Sequence, residues 1–330
     1  MKRIWITWTR QRRNDGIASA LGARLFTFSY EKYGFLRYPF CVFHTLYILF
    51  KERAGLCFVM LPSIFSALLV AVLKGALGFK FIIDLHTLNV YYLLGEGVKR
   101  KVYDHLLRFC LSRAELILVT NGYYSMTLGQ PQEKTFVLPD RIPEKIGLAR
   151  SHQKSSAKPS VLAICSYDPD EAYQEVFAAS QRMQDVHFFF TGDYRLLDRR
   201  GEVRPSNSDV QFTGFLPIEE YESLLCSVNV VVVTTKLEGC LCCGVYEAFA
   251  AGIPMVISST EAMKRHFGQG PIYTENSAGE IERAIRRAIE REDEYIVKVR
   301  ARAQELKEDW EEKIKKLEIR LQEMGPGTRT

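Results

Sequence analysis

Residues 228–258 read VNVVVVTTKLEGCLCCGVYEAFAAGIPMVIS, and this stretch decides the fold. Four consecutive valines, Val230 to Val233, are apolar on both faces of an extended chain, the pattern of a strand buried on both sides. A polar loop begins at Thr234, and a helix opens near Gly244. Gly252-Ile253-Pro254 ends that helix, because glycine accepts the left-handed terminal conformation and proline cannot continue the turn. A second apolar strand follows at 254–258. Strand, helix and strand in this order form a crossover between parallel neighbours.

The same alternation extends outward. The pattern predicts strands at 160–165, 186–191, 210–213 and 271–274, with helices at 171–183, 218–226, 244–251, 261–267 and 278–290. Ahead of them, strands at 3–8, 24–28, 56–61, 79–84, 115–120 and 135–138 alternate with helices at 16–21, 39–53, 63–77, 97–112 and 123–128. The fold class is α/β, with two doubly wound, Rossmann-like sheets. Residues 147–160, GLARSHQKSSAKPS, are polar and aperiodic and read as a linker. The expected domains are 1–150 and 151–290, followed by a charged helical segment at 291–330. In that segment Ala303, Leu306, Trp310, Leu317, Leu321 and Met324 make an interrupted apolar stripe. The stripe suits packing back on the domains, with a coiled-coil contact as the alternative. Two such domains are expected to face each other across a cleft at the carboxyl ends of their strands.

Composition narrows the classes. Of 330 residues, 47% are hydrophobic and 25% charged, which excludes a disordered chain. The net charge of +5 is uneven: residues 1–150 carry 21 Lys and Arg against 10 Asp and Glu, and the remainder is acidic. A basic half points to an anionic partner, either a membrane surface or a phosphorylated compound. No helix-turn-helix, zinc-finger or RNA-binding signature is present, so nucleic acid is not expected. The apolar run 64–77 is too short to span a bilayer. Residues 30–53, YEKYGFLRYPFCVFHTLYILFKER, interleave aromatics with Lys and Arg, which suits a membrane surface or a core-packed helix. The eight cysteines show no disulfide spacing, so reduced thiols in a cytoplasmic protein are expected. Cys240, Cys242 and Cys243 lack a second ligand pair, so no metal site is expected.

The segment Glu247-Ala248-Phe249-Ala250-Ala251-Gly252-Ile253-Pro254, preceded by Glu238-Gly239, resembles the retaining glycosyltransferases of family 4 and their GT-B relatives, the glycosyl transferases group 1. Val210-Gln-Phe-Thr-Gly, Glu115-Leu-Ile-Leu-Val-Thr and Val137-Leu-Pro-Asp resemble other segments of those enzymes. The resemblance implies the GT-B architecture, a nucleoside-diphosphate sugar as donor and a hydroxyl acceptor, lipid-linked or free. It implies a cytoplasmic enzyme, on the inner face of a membrane if the acceptor is a lipid. It requires no cofactor.

The resemblance also assigns residues. Glu247 corresponds to the carboxylate that binds ribose hydroxyls, and Glu238 to the one near the donor sugar. Eight residues separate the two here, where the family has seven. Gly244, Val245 and Tyr246 open the helix whose N-terminal N–H groups and partial positive charge suit a pyrophosphate. His86, following the strand that ends at Asp84, is the candidate beside the sugar or acceptor. Family members place an Arg and a Lys after the first strand of the second domain. This chain has Ser166-Tyr-Asp-Pro-Asp-Glu, which is acidic. Lys236, Arg12 and Arg13 are therefore the candidate cations for the diphosphate, since guanidinium forks suit phosphate. Two alternatives stay open: a non-catalytic GT-B relative serving as a binding or scaffold subunit, and a sugar-nucleotide epimerase of the same fold.

Overall fold

The computed structural model describes residues 1–61, 63–88, 90–144, 146 and 158–325. The expected linker lies outside them up to residue 157, as does the tail after Gly325. In chain order the elements are β1 (Arg3–Thr7), α1 (Arg12–Ala20), β2 (Arg24–Thr27), α2 (Arg37–Glu52), β3 (Leu56–Leu61), α3 (Ile64–Leu77), β4 (Lys80–Leu85), α4 (Val90–Leu94), α5 (Val98–Arg113), β5 (Leu116–Val119), α6 (Gly122–Thr127) and β6 (Thr135–Val137). They continue with β7 (Ser160–Ala163), α7 (Tyr173–Arg182), β8 (His187–Thr191), α8 (Arg195–Arg200), β9 (Val210–Gly214), α9 (Ile218–Ser227), β10 (Val230–Val233), α10 (Cys243–Ala251), β11 (Met255–Ser258), α11 (Glu261–Phe267), β12 (Ile272–Thr274), α12 (Ala278–Glu290) and α13 (Glu292–Glu323). Short 3-10 segments occur at Glu31–Leu36 and Gln132–Lys134.

Two compact units result: Met1–Arg141 together with Asp309–Thr330, and Ile142–Glu308. In the first, six parallel strands run in the order β2-β1-β3-β4-β5-β6. Alternate residues point to opposite faces of the sheet. Ile4, Ile6, Cys57, Val59, Phe81 and Ile83 meet α2, α3 and α5 through Cys41, Ile48, Val70 and Leu107. Trp5, Phe58, Ile82 and Leu118 meet α1 through Ile17 and the end of α13 through Trp310, Leu317 and Leu321. Trp5 stacks on Phe58 with ring centroids 5.1 Å apart, and the Trp310 indole N–H donates to the Pro139 carbonyl at 3.1 Å.

In the second unit the order is β12-β11-β10-β7-β8-β9, again parallel throughout. Helices α7 and α12 cover one face through Val176, Phe177, Ile281 and Ile285. The other face is covered by α9, α10, α11 and the first half of α13, through Leu225, Val245, Phe267 and Val299. Helix starts are capped locally: Thr260 accepts the Met263 N–H of α11, and Ser277 accepts the Glu280 N–H of α12. Gly192, just after β8, has φ near +86°, and a Cβ there would meet the Cys165 carbonyl oxygen at 2.1 Å. Only glycine lets the turn after β8 approach the end of β7 this closely.

Candidate functional site

The strand order of the second unit reverses between β7 and β10. The connection from β7 leads to α7 on one face, and that from β10 to α10 on the other. Such a reversal opens a crevice at the carboxyl ends of the two strands. The two loops bordering it are tied together. The Ala172 N–H donates to Thr234 Oγ1 at 3.2 Å, and the Lys236 N–H to the Asp170 carbonyl at 2.5 Å. The Thr235 N–H donates to Ser258 Oγ at 2.8 Å, and Asn276 Nδ2 to the Thr235 carbonyl at 2.9 Å. None of these fastening residues is visible in a local motif, because their partners lie on other strands.

Helix α10 begins at this crevice, and the side chain of its N-cap residue, Cys242, makes no capping hydrogen bond. Its opening N–H groups and dipole therefore favour an anion at this end. Glu247 sits one turn in and is half-buried. The Tyr221 hydroxyl of α9 donates to Glu247 Oε2 at 2.5 Å, which fixes the carboxylate. Tyr221 escaped the sequence reading because it lies 26 residues away on another helix. Val245 and Tyr246 turn their side chains into the core, and the Tyr246 hydroxyl pairs with His266 Nε2 at 2.9 Å. Gly244 is needed for packing: a Cβ there would meet Ile164 Cδ1 at 3.0 Å and Val233 Cγ2 at 3.2 Å. Its role is thus close contact of helix with sheet.

Glu238 is exposed. Its Oε1 accepts the N–H groups of Glu261 and Ala262 at 2.6 and 3.2 Å, adding a second cap to α11 beside Thr260. Lys236 is exposed next to the acidic loop, where its charge partly offsets Asp170. Burial pushes the Asp170 carboxyl up. In the same loop Glu171 accepts the N–H groups of Ser166 and Tyr167 at 3.0 and 2.9 Å and the Ser166 hydroxyl at 2.6 Å. Burial still prevails over those bonds and pushes its carboxyl up to about 7. The thiols of Cys240 and Cys242 face each other at 3.7 Å, and Cys240 together with burial pushes the Cys242 thiol well up.

The first unit carries a second cluster at the carboxyl ends of β4 and β6. Arg13, in the first turn of α1, is buried rather than displayed on a basic loop. Its guanidinium donates to Asp84 Oδ2 at 2.9 Å, Asp84 Oδ1 at 2.7 Å, Asp140 Oδ1 at 2.6 Å and the Leu138 carbonyl at 2.9 Å. Two strand-end carboxylates thus hold the side chain expected as a candidate phosphate contact. Arg12 is exposed. His86 follows β4, with Nε2 at 3.4 Å from Asp140 Oδ2. Burial opposes ionisation of Asp140, but His86 and Arg13 outweigh it and hold the carboxyl well below the usual carboxylate range. Asp140 thus sits as an anion between an imidazole and a guanidinium, a residue the sequence reading did not single out.

Residues 158–291 match the family model of glycosyl transferases group 1. No curated protein matches the chain. Among solved structures, sucrose-phosphate synthase from Thermosynechococcus elongatus has a TM-score of 0.78 at 15% identity, over 98% of this chain and 100% of that one. HepE from Anabaena, in complex with UDP, has a TM-score of 0.71 at 13% identity, over 98% and 99%. A UDP-forming α,α-trehalose-phosphate synthase from Burkholderia vietnamiensis has a TM-score of 0.62 at 11% identity, over 96% and 100%. These scores show that the chain shares the overall fold of those structures.

Proposed function

We propose that the chain is a group 1 glycosyltransferase of GT-B fold and moves a sugar, with retention, from a nucleoside-diphosphate sugar to a lipid-linked hydroxyl acceptor at the cytoplasmic face of a membrane. The observation that carries the donor reading is the start of α10 at the strand-order reversal of the second unit, with Glu247 held there by Tyr221. In this reading the diphosphate lies against the helix N-terminus, and Glu247 accepts the ribose hydroxyls. Lys236 supplies a cation to the leaving diphosphate as positive charge grows on the anomeric carbon. His86, oriented by Asp140, contacts the sugar or the acceptor. The bound UDP of HepE makes uridine diphosphate the first nucleotide to test. The donor reading is checked by thermal shift with UDP, GDP and ADP, followed by release of the nucleotide from the matching sugar donor. A protein stabilised by none of the three would remove it.

One observation favours a binding subunit over an enzyme. The loop Ser166 to Glu171 places Asp168, Asp170 and Glu171 at the crevice, where the family resemblance implies cations. Nucleotide binding without release of nucleotide from any sugar donor would decide for that reading.

A further inference from the structure

Helices α2, α3 and α5 pack side by side on one face of the first unit's sheet. The inner side of this layer is apolar, as a core requires. Its outer side is apolar as well. Phe40, Phe43, Tyr47 and Phe50 of α2 are all exposed, Phe43 to 66%. Their spacing of three, four and three residues puts them on one stripe of the helix. Phe65 and Val72 of α3, and Val98, Val102 and Phe109 of α5, extend the exposed apolar surface, and Phe35 ahead of α2 is 86% exposed. A helix layer facing only water would be polar on this side. Among the described residues no helix is long and apolar enough to cross a membrane, so the surface is not a displaced span.

Charge identifies the occupant. The three helices carry eight Lys and Arg against two acids, Glu52 and Asp104. Glu52 is buried and paired with Lys2 at 2.7 Å and Arg24 at 3.1 Å, so it does not offset the outer face. Exposed aromatics on helices that also expose Lys51, Lys99, Lys101, Arg108 and Arg113 match an interface that is anionic at its surface and apolar beneath. A protein partner of mixed charge would not call for so one-sided a set of charges.

We propose that the outer face of α2, α3 and α5 docks on an anionic lipid bilayer, with Phe40, Phe43, Tyr47 and Phe50 entering the boundary between headgroups and acyl chains. The lipid-linked acceptor rests on the proposed function, but the docking face stands apart from donor binding, which belongs to the other unit. The experiment is flotation of the whole protein with phosphatidylcholine vesicles and with phosphatidylcholine–phosphatidylglycerol vesicles. The protein floats with the anionic vesicles and not with the neutral ones. Phe43→Ser with Phe50→Ser lowers the anionic partition about tenfold or more, since the apolar area of two rings no longer leaves water. Lys99→Glu with Lys101→Glu lowers it as well, and added salt lowers it for the parent. Phe43→Trp gains a blue-shifted emission on anionic vesicles only, a readout that needs no loss of binding. An unaltered thermal shift by nucleotide in each variant shows that the fold is retained. Equal binding to both vesicle types, no binding to either, or no response to the Phe43 and Phe50 changes would overturn the proposal. So would a dimer in sedimentation that the Phe43 and Phe50 changes dissolve in the absence of lipid. Loss of the nucleotide shift alone would overturn the donor reading and leave the docking face standing.

Discussion

Replacing Arg13 with Met tests the first unit at its most concentrated point. The side chain is buried, and Asp84 beside it is 0% exposed. Methionine keeps most of the volume but removes the donors to both oxygens of Asp84, to Asp140 and to the Leu138 carbonyl. Asp84 then keeps its carboxylate in a dry interior without its cation. Removing one partner of a buried pair costs about 3–5 kcal/mol, several times the cost of an ordinary substitution. All three tryptophans, Trp5, Trp8 and Trp310, belong to the first unit, so indole fluorescence reports the unfolding of that unit alone. With a urea dependence of about 2 kcal/mol per molar, the midpoint falls by about 1.5–2.5 M. Adding Asp84→Leu removes the stranded charge and recovers part of the loss, with a coupling of about 2–3 kcal/mol. Acid sensitivity changes in step. The folded Asp140 carboxyl ionises below its ordinary range, so its contribution is present above the unfolded value and is lost as pH falls beneath it. Without Arg13 the folded value moves back toward the unfolded one, so this loss on acidification becomes smaller. A midpoint shift worth less than about 1 kcal/mol for Arg13→Met would refute the reasoning.

Three further outcomes are expected. Glu247→Ala weakens nucleoside-diphosphate binding by about ten- to a hundredfold, the scale of one or two charged hydrogen bonds, with no change in melting temperature beyond the loss of the Tyr221 contact; equal calorimetric affinity in mutant and parent would count against the ribose assignment. His86→Ala lowers turnover by about ten- to a thousandfold while nucleotide affinity stays within a few-fold of the parent; full turnover in the mutant would sink the catalytic role. The raised carboxyl of Glu171 makes the second unit bind more protons folded than unfolded between about pH 4.5 and 7, so its stability falls as pH rises through that window. Glu171→Gln flattens the fall in scanning calorimetry, and an unchanged slope would show that burial is not what holds this proton.

The strands were legible because burial writes itself into sequence. The valine run of β10 and the apolar β3 could be nothing else, and the ranges read for α11 and α12 agree with the structure, where Thr260 and Ser277 cap them. Helix α8, Arg195–Arg200, was missed because one turn of RLLDRR carries too few apolar positions to show a period. The start of α1 was placed four residues late, at Gly16, because Arg12 and Arg13 read as a solvent-facing basic run. What fixes Arg13 is a pair of carboxylates 71 and 127 residues away, which no local pattern contains. The same limit applies to Glu238. The sequence gives its distance from Glu247, whereas its engagement with α11 depends on how the crossover after β11 returns to the sheet.

Helix α13 carries a consequence for how the chain is made. Its early residues Val299, Ala303 and Leu306 belong to the core of the second unit, and its late residues Trp310, Leu317 and Leu321 to the core of the first. On a ribosome, the first unit therefore emerges early yet stays unfinished. Its sheet face bearing Trp5, Phe58 and Leu118 has only the cover of α1 until residues 309–325 are released. The second unit is continuous and can close while that face still waits. The order of maturation is thus reversed relative to the order of synthesis, and the nascent first unit is the stretch on which a chaperone would act longest.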